Sequence, residues 1–574
     1  MTSIYDKNLS VEVNGFAVTG WDNIISIIEK PKSSNRIITI DCYTGIYYEE
    51  LKSQFIKIKA ELFIDAKELF ISESEIEALT KRFITDDVLF GYMSNITLPE
   101  YFDPQKLVVA RNTICKTKGT VVIFGYGAAL VANSNLLIYA DMPRWEIQQR
   151  MRRQEIEALG IDNRKEYFSF QYKRGLFNDW RLLDRYKRSI CSKVDYWLDT
   201  IVPNEPKMID KQTFNSGMDK AASSPFRVVP FFDPAPWGGQ WMKGVFNLDK
   251  SKPNYGWCFN CVPEENSLLL NVNGIIFEMP SVNLVYTKSR QLLGEPVEAR
   301  FGKEFPIRFD FLDTINGGNL SLQVHPTTQY VHDKFGLNYT QDESYYIVDA
   351  EEGACVYLGL KTGIDNVNMI KDLEKAEEIG FVFEVEKYVN KFPAKKHDHF
   401  LIPAGTVHCS GMNALVLEIS STPNIFTFKL WDWQRMGLDG KPRPINMQRG
   451  KDVIDWERNT EYVKEKLINK IEVLAEGDGW KEEKTGLHRN EFIETRRHTF
   501  SKPVIHYTGE SVNVLNLVDG EEIIIESPAN AFEPMIIYYA ETFIIPACVG
   551  EYVIRPHGAA EGKVCVTIKA YVRI

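Results

Sequence analysis

Short apolar runs alternate with amphipathic stretches along residues 1–205. RIITID, TVVIFGYGAALV and LLIYADM are β-rich runs that begin at Arg36, Thr120 and Leu136. Stretches such as EIEALTKRF and WEIQQRMRRQEIEAL have the apolar spacing that is typical of amphipathic helices. Because strands alternate with helices, the pattern predicts an α/β domain with a parallel sheet. Residues 206–229 are rich in Ser, Lys and Asn, which predicts a linker.

From residue 230 onward the pattern changes to many short β-rich runs, broken by Gly, Pro, Asn and Asp. FPIRFDFLD, LSLQVHP and ALVLEIS are examples, and their spacing indicates an antiparallel sandwich or barrel over residues 230–475. A helical interval is expected at Met369–Phe392. Residues 476–574 repeat the β-rich pattern. HFLIPAGTVHCS, from His399, is similar to TFIIPACVGEYV, from Thr542, which suggests an internal duplication.

Composition narrows the class of protein. A chain of 574 residues is too long for one hydrophobic core, so we expect several domains. The net charge of -11 argues against a general binder of nucleic acid or of anionic membranes. No apolar run approaches the roughly 18 residues of a membrane span, and the N-terminus does not resemble a signal peptide. Nine scattered cysteines indicate reduced thiols, so we predict a cytoplasmic protein.

Four polar residues in the β-rich region form a candidate metal site. Gln323 and His325 lie two apart in one strand-like run, so their side chains project from the same face. Glu343 begins another strand-like run, and His408 follows a tight Pro-Gly turn. Each residue alone has an ordinary explanation as a core, surface or turn residue. Two imidazoles, a carboxylate and an amide oxygen facing one interior would suit Zn²⁺ with an open position, although Mn²⁺ or Fe²⁺ would also fit.

The motifs LSLQVHP, DESYYIVDA and FLIPAGTVHCSG resemble, in order and spacing, signature segments of the class I mannose-6-phosphate isomerases, which are cupin-fold zinc enzymes. PWGG, at Pro236–Gly239, is similar to the opening of that family, and the resemblance covers residues 230–574. It implies an all-β cupin fold and the interconversion of mannose 6-phosphate and fructose 6-phosphate through a cis-enediol. It also implies four zinc ligands, namely Gln323, His325, Glu343 and His408. In the second half, Tyr552 or a near neighbour matches His408, so no metal site is expected there.

The sequence departs from this family in the cationic residues around the expected metal site. Gln341 stands where the family usually has a lysine, two residues before the metal-binding glutamate. Lys429 stands where the family has an arginine. Arg435 is close by in sequence and could serve in place of that arginine. Arg308, two residues from Asp310, stands near another expected lysine. These substrate-binding or catalytic candidates leave two interpretations open. One is an isomerase of a sugar phosphate, and the other is a non-catalytic zinc cupin that binds a sugar or sugar phosphate in a regulatory or scaffold role.

IITIDCYTGIYYEEL, from Ile37, resembles the first strand, phosphate loop and helix start of P-loop nucleoside and nucleotide kinases. That register keeps one glycine, Gly45. It replaces two glycines, the lysine and the Ser or Thr by Cys42, Tyr47, Tyr48 and Glu49. The lost parts would wrap the phosphates, neutralise them and hold Mg²⁺. The resemblance therefore implies a degenerate kinase-like α/β domain that does not use ATP and has a scaffold or interaction role.

An arginine-rich helix follows the strand LLIYADM and resembles a segment after the nucleotide-binding core of such kinases. Two interpretations stay open for its charges. They form either a solvated helix face or a retained anion site, with the residues Arg144, Arg150, Arg152 and Arg153.

Overall fold

The fold combines an N-terminal α/β unit with two β sandwiches. The computed structural model describes residues 4–30, 36–377, 381–421, 425–437, 440, 443, 445–486 and 491–574. Within these ranges, no helix has both the length and the apolar character needed to cross a lipid bilayer. The chain is thus multidomain and of mixed α/β type, as its length and its two apolar patterns predict.

The N-terminal sheet has seven strands. In spatial order they are β2 (Ala17–Thr19), β8 (Lys207–Asp210), β7 (Tyr196–Asp199), β6 (Leu136–Asp141), β3 (Arg36–Cys42), β5 (Thr120–Gly125) and β4 (Leu62–Asp65). The five strands from β7 to β4 are parallel, whereas β8 and β2 are antiparallel to their neighbours. Most residues of β3, β5 and β6 are buried, as expected for parallel strands between layers of helices.

Eight α-helices accompany this sheet in the described part of the N-terminal region. They are α1 (Trp21–Glu29), α2 (Tyr48–Phe55), α3 (Glu73–Ile84), α4 (Pro104–Lys116), α5 (Arg144–Arg152), α6 (Phe168–Arg174), α7 (Trp180–Ile190) and α8 (Lys211–Ser223). Several begin at residues that cap the free N–H groups of a first helical turn. Ser72 forms a capping box with Glu75 at α3, and the Asp103 side chain accepts two backbone N–H groups at α4.

Residues 206–229 are not a linker, because they contain strand β8 and helix α8. The polar composition concealed an amphipathic pattern. Phe214, Met218 and Ala221 are buried at helical spacing, and the Asp210 side chain accepts the Thr213 N–H to cap the helix. The N-terminal sheet therefore continues directly into the following region.

The first sandwich is built from two antiparallel sheets. One contains β18 (His399–Ile402), β15 (Glu343–Ala350), β20 (Ala414–Ser420), β13 (Arg308–Asp313), β10 (Trp257–Cys261) and β9 (Phe231–Asp233). The other contains β17 (Val389–Pro393), β16 (Cys355–Leu360), β19 (His408–Ser410), β14 (Leu322–Val324) and β21 (Phe428–Trp431). Their facing side chains form a separate apolar core. The antiparallel sandwich expected from the spacing of the short strands is therefore present.

The second sandwich has the same two-sheet construction. Its larger sheet contains β22 (Glu472–Gly477), β23 (Trp480–Lys484), β24 (Ile493–Phe500), β31 (Cys565–Val572), β26 (Asn513–Asp519) and β29 (Thr542–Ile545). Its smaller sheet contains β25 (Val504–Tyr507), β30 (Glu551–Pro556), β27 (Glu522–Glu526) and β28 (Met535–Tyr538). Tyr552 is buried, and its hydroxyl donates to Asn513 Oδ1 at 3.0 Å.

Short elements join these units. A small sheet contains β1 (Val11–Val13), β11 (Ser267–Val272) and β12 (Ile275–Pro280). The remaining helices of the described chain are α9 (Trp241–Val245), α10 (Val282–Leu293), α11 (Glu295–Phe301), α12 (Thr328–Phe335), α13 (Asn366–Ala376), α14 (Val385–Tyr388), α15 (Met447–Gly450) and α16 (Thr460–Lys466). The helical interval expected at Met369–Phe392 is only partly helical, because β17 occupies its end. One apolar core joins the N-terminal sheet, the small sheet and the second sandwich, for instance through Met208, Phe277 and Val514.

Candidate metal centre and the adjoining cavity

Three of the four predicted metal ligands meet between the two sheets of the first sandwich. His325 follows β14, His408 begins β19, and Glu343 begins β15 in the facing sheet. His325 Nε2 lies 3.0 Å from Glu343 Oε2, and His408 Nε2 lies 2.9 Å from Glu343 Oε1. All three side chains are buried, and their ligand atoms lie within 4.8 Å of one another. These residues could hold one metal ion.

The backbone orients both imidazoles toward the carboxylate. His325 Nδ1 lies 3.0 Å from the carbonyl oxygen of Phe426, and His408 Nδ1 lies 2.8 Å from that of Thr406. Because a carbonyl oxygen only accepts, each Nδ1 carries the hydrogen when the ring is neutral, and each Nε2 keeps its lone pair. This arrangement is typical of histidines that bind metals through Nε2.

Gln323 is adjacent to these three residues. It pairs with His408 across the strands, and its amide Nε2 lies 3.2 Å from His408 Nε2. A half-turn of the amide would exchange its nitrogen and oxygen and bring the oxygen next to His408. Its role as a fourth ligand stays a prediction, and its position next to His408 agrees with it.

The Glu343 carboxylate and its histidine neighbours shift each other's ionisation, as the pKa values of Glu343 and His325 show. Burial disfavours the charged form of His325, but the Glu343 carboxylate outweighs this effect and raises the pKa of His325. Burial alone would raise the pKa of Glu343, whereas the two imidazoles lower it well below its usual range. The Glu343 carboxylate is therefore ionised, as a metal ligand must be.

Gln341 lies in the next layer and connects two buried carboxylates. Its Nε2 donates to Glu343 Oε2 at 3.0 Å and to Glu418 Oε1 at 3.3 Å. Burial, and then Asp310 and Glu343, raise the pKa of Glu418 well above its usual value. Glu418 was not among the predicted site residues, although a lone glutamate within the apolar run ALVLEIS is a recognisable signal.

Arg308 and Asp310 lie on the same strand face, as their spacing predicts. Arg308 Nε is 3.3 Å from Asp310 Oδ1, and both side chains are buried. Burial raises the pKa of Asp310 to about 6, while the arginine opposes this shift. Arg308 also lines the cavity described below, but its charge is shared with Asp310.

Lys429 and Arg443 supply positive charge to the cavity wall. Lys429 pairs with Gln323 across the strands, and its Nζ has no hydrogen-bond or salt-bridge partner among the described residues. Burial, and then the nearby Arg443, lower the pKa of Lys429 to about 8. Arg435 differs from the prediction, because it is not among the residues that line the cavity. Arg443, which was not predicted as a site residue, lines the cavity instead, and both arginines pair with Asp432.

The cavity beside the metal centre has two walls from distant parts of the chain. It encloses about 310 Å³, and the sandwich lines it with Gln323, Gln341, Glu418, Lys429 and others. The N-terminal unit contributes Trp145, Gln148, Arg152, Phe168 and Tyr172. A wider cleft of about 1060 Å³ shares Trp145, Arg152, Lys429 and Arg443 with this cavity. The candidate metal centre is thus next to a polar cavity that opens to a larger cleft.

The predicted degenerate phosphate loop lies at the end of β3. Gly45 has a positive φ of 92°, which a glycine adopts readily. The Tyr48 ring packs against Phe124 and Tyr126, and its hydroxyl donates to Asp65, which also pairs with Lys52 at 2.6 Å. Of the other changed positions, Cys42 is buried, Tyr47 is half-buried and Glu49 is exposed. A buried tyrosine therefore occupies the position at which the kinase register has a lysine.

The four arginines that follow β6 are all paired. Arg144 pairs with Asp184, Arg152 forms a two-pronged ion pair with Asp233, and Arg153 contacts Glu146 and Glu155. Arg150 is fully buried and donates to the Gly45 carbonyl oxygen at 2.8 Å and to that of Ile201 at 2.8 Å. The interpretation as a solvated helix face is wrong for Arg150. This buried side chain instead connects the loop after β3 to the residues that follow β7 through its hydrogen bonds.

Comparisons with known proteins agree with the architecture of the β-rich region. A mannose-6-phosphate isomerase of Streptococcus mutans is 26% identical over 220 residues, which cover 38% of this chain and 64% of that protein. ManA of Bacillus subtilis, also a mannose-6-phosphate isomerase, is 27% identical over 235 residues, which cover 41% of this chain and 69% of that protein. Over about 220 residues, this chain is homologous to mannose-6-phosphate isomerases. The alignment spans just under two thirds of the Streptococcus mutans relative.

Solved structures and a family match add two points. A crystal structure of the mannose-6-phosphate isomerase from Bacillus subtilis superposes with a TM-score of 0.50 and 18% identity, and it covers 61% of this chain and 100% of that one. At this identity the likeness concerns the fold. Residues 20–223 match a family described as a domain of unknown function, DUF8485. The predicted homology to mannose-6-phosphate isomerases is confirmed over about 220 residues, whereas its extension over all of residues 230–574 and the kinase-like interpretation of the N-terminal unit stay predictions.

Proposed function

We propose that this protein is a metal-dependent aldose–ketose isomerase of a sugar phosphate, with mannose 6-phosphate and fructose 6-phosphate as the expected pair. The observation that carries the proposal is the buried group of His325, Glu343 and His408 beside a cavity whose wall includes Lys429, an amine with no partner among the described residues. Such a site combines Lewis-acid and cationic groups, as enediolate chemistry requires. The homology to mannose-6-phosphate isomerases supports the same reaction class.

The donor set fits a divalent cation, for which Zn²⁺ is the expected choice. Two Nε2 atoms with free lone pairs and an ionised carboxylate lie within reach of one another, and Gln323 adjoins them. A site with three or four such ligands suits Zn²⁺ with an open position. When bound, the cation supplies Lewis-acid stabilisation to oxygens of the sugar.

The other residues of the cavity have separate tasks in this proposal. The ammonium group of Lys429 binds the phosphate group or a negatively charged oxygen of the sugar. Glu418 lines the cavity and connects to Glu343 through Gln341, so we assign to its carboxyl group the transfer of the proton between C1 and C2. Retention of full turnover in a Glu418→Gln variant would contradict this assignment.

The alternative is a zinc cupin that binds a sugar phosphate without converting it. Gln341 and Lys429 favour it, because the resemblance places a lysine and an arginine at these positions, and lysine lacks the planar fork of arginine. A non-catalytic protein would retain metal and ligand binding without turnover.

A coupled assay for fructose 6-phosphate formation from mannose 6-phosphate separates the two possibilities. We expect turnover by the purified zinc-loaded protein that disappears after chelation and returns when Zn²⁺ is added. Other aldose and ketose phosphates are tested in parallel. If the loaded protein shows no turnover above the background of a His408→Ala variant with any of these sugars, the isomerase proposal is wrong.

Sugar-phosphate binding is expected to weaken above pH 8. The pKa of Lys429 is lowered to about 8, so its side chain is charged below that pH and becomes neutral above it. Because a bound phosphate favours the charged form, affinity falls by up to about tenfold per pH unit above 8. Isothermal titration with fructose 6-phosphate at pH 7, 8 and 9 measures this. The Lys429→Arg side chain stays charged, so this variant should bind fructose 6-phosphate with the same affinity at all three pH values. If its affinity instead fell above pH 8 as in the parent protein, Lys429 would not be the group responsible.

For the N-terminal unit we propose a degenerate kinase-like fold without ATP chemistry. The loop after β3 lies at the end of a central strand between β5 and β6, where open α/β sheets bind their ligands. Tyr48 and Arg150 occupy this place with buried side chains that are already hydrogen-bonded. This supports a scaffold role, and micromolar affinity for ATP in a direct titration would contradict it.

A further inference from the structure

Helix α5 of the N-terminal unit forms part of the cavity beside the metal centre. Trp145, Gln148 and Arg152 on this helix line the same 310 Å³ cavity as Gln323 and Lys429. These N-terminal side chains lie within the residues 20–223 that match a domain of unknown function. The cavity is thus completed by a part of the chain that lies outside the β sandwich.

Gln148 has an unused hydrogen-bonding group in this wall. Its side chain is 5% exposed, and its Nε2 has no hydrogen-bond partner within the described part of the chain. Buried polar groups are almost always paired, because an unpaired one costs about 1–3 kcal/mol. A donor that is buried, unpaired and part of a cavity wall indicates a ligand that accepts its hydrogen bond.

Trp145 continues an aromatic surface that crosses from one unit to the other. Its ring stacks on Phe231 with centroids 4.1 Å apart, and Phe231 stacks on Phe259 at 4.6 Å. Phe259 in turn stacks on Trp257 at 5.5 Å. Ligand cavities commonly combine such apolar walls with a few well-placed polar groups.

Helix α5 is fixed relative to the sandwich. Arg152 donates to both carboxylate oxygens of Asp233, at 2.9 and 2.8 Å, and the backbone N–H of Trp145 donates to the carbonyl oxygen of Glu265 at 3.2 Å. The Arg152 guanidinium also lies over the rings of Trp145 and Phe168. Because these contacts hold the helix in place, Gln148 and Trp145 present a preformed surface to the cavity.

We infer that α5 is a sugar-recognition element of the isomerase site. The Gln148 amide donates a hydrogen bond to a hydroxyl group of the phosphorylated sugar, and the Trp145 ring packs against the sugar. The N-terminal unit therefore helps to decide which phosphorylated sugar the metal centre receives. This inference rests on the proposed function only in taking a phosphorylated sugar as the ligand, and it does not require turnover.

The test compares variants of the full-length, zinc-loaded protein in binding fructose 6-phosphate and in turnover of mannose 6-phosphate. Gln148→Met preserves the size of the side chain and removes its amide. We expect about tenfold weaker binding and a matching rise in KM, because one buried hydrogen bond is lost. Trp145→Phe should change the relative affinities for mannose, glucose and fructose 6-phosphates. Gln105→Ala, on helix α4 and outside the cavity, is the matched control and should bind like the parent protein.

The outcomes separate this inference from the proposed function. If the protein binds fructose 6-phosphate without turnover and Gln148→Met binds about tenfold more weakly, the recognition role holds and the isomerase proposal fails. If turnover occurs and Gln148→Met matches Gln105→Ala in affinity and KM, the recognition role is overturned and the isomerase proposal stands. Absence of binding of all three sugar phosphates to the parent protein overturns the inference as well. Circular dichroism confirms that each variant is folded.

Discussion

Replacing His408 with alanine is expected to lower the affinity for Zn²⁺ by more than about a hundredfold and to remove isomerase turnover. Loss of a residue that only supports a metal ligand typically costs about 10–100-fold in affinity, so loss of a ligand itself should cost more. His408 Nε2 lies 2.9 Å from Glu343 Oε1, and its other nitrogen is held by the Thr406 carbonyl oxygen. Within the described part of the chain, the group contains no histidine besides His325 and His408.

Metal content measured by mass spectrometry after dialysis, together with the coupled assay, tests this expectation. His332→Ala is the matched control, because His332 is on the surface of helix α12 with a side chain that is 65% exposed. We expect His332→Ala to retain one bound metal ion and full turnover. A His408→Ala protein that is folded and holds zinc as tightly as His332→Ala would show that His408 is not a ligand.

The grouping of His325, Glu343 and His408 could be expected from the sequence, partly from strand geometry and partly from the resemblance to a known family. Gln323 and His325 share a face through the two-residue period of a strand, and strand ends place Glu343 and His408 toward the same interior. Burying two imidazoles, a carboxylate and an amide without a shared partner would be costly, so these motifs together favour a common ligand such as a metal ion. The antiparallel sandwich followed in the same way from short apolar runs separated by turn residues.

Other features depend on pairings between residues far apart in the chain, which local patterns do not reveal. The partner of Arg152 is Asp233, and the neighbours of Gln148 in the cavity wall include Lys429. The segment 206–229 appeared to be a linker because its polar residues face solvent, while its apolar residues pack onto a sheet formed elsewhere. The sequence predicted an N-terminal α/β region and a β-rich region with separate functions. In the structure, residues of both regions line one cavity.

Arg150 provides the second large expected effect. We expect Arg150→Met to lower the free energy of unfolding by about 3 kcal/mol, because a buried cation that bonds several acceptors is removed and those acceptors lose their donors. The guanidinium is fully buried and donates to the carbonyl oxygens of Gly45, Thr200 and Ile201 and to Glu146. It also lies over the Tyr47 ring, 3.9 Å from the ring centre. This side chain therefore takes the place that an anion would need in the loop after β3.

Arg153→Met is the matched control for this change. Arg153 directly follows the same helix, its side chain is 46% exposed, and its ion pairs with Glu146 and Glu155 are at the surface. Exposed ion pairs contribute about 0–1 kcal/mol, so this variant should unfold close to the parent protein. Urea unfolding followed by circular dichroism compares the two variants. If Arg150→Met were as stable as Arg153→Met and instead lost affinity for ATP or phosphate, Arg150 would be a ligand-binding residue and the loop after β3 a working anion site.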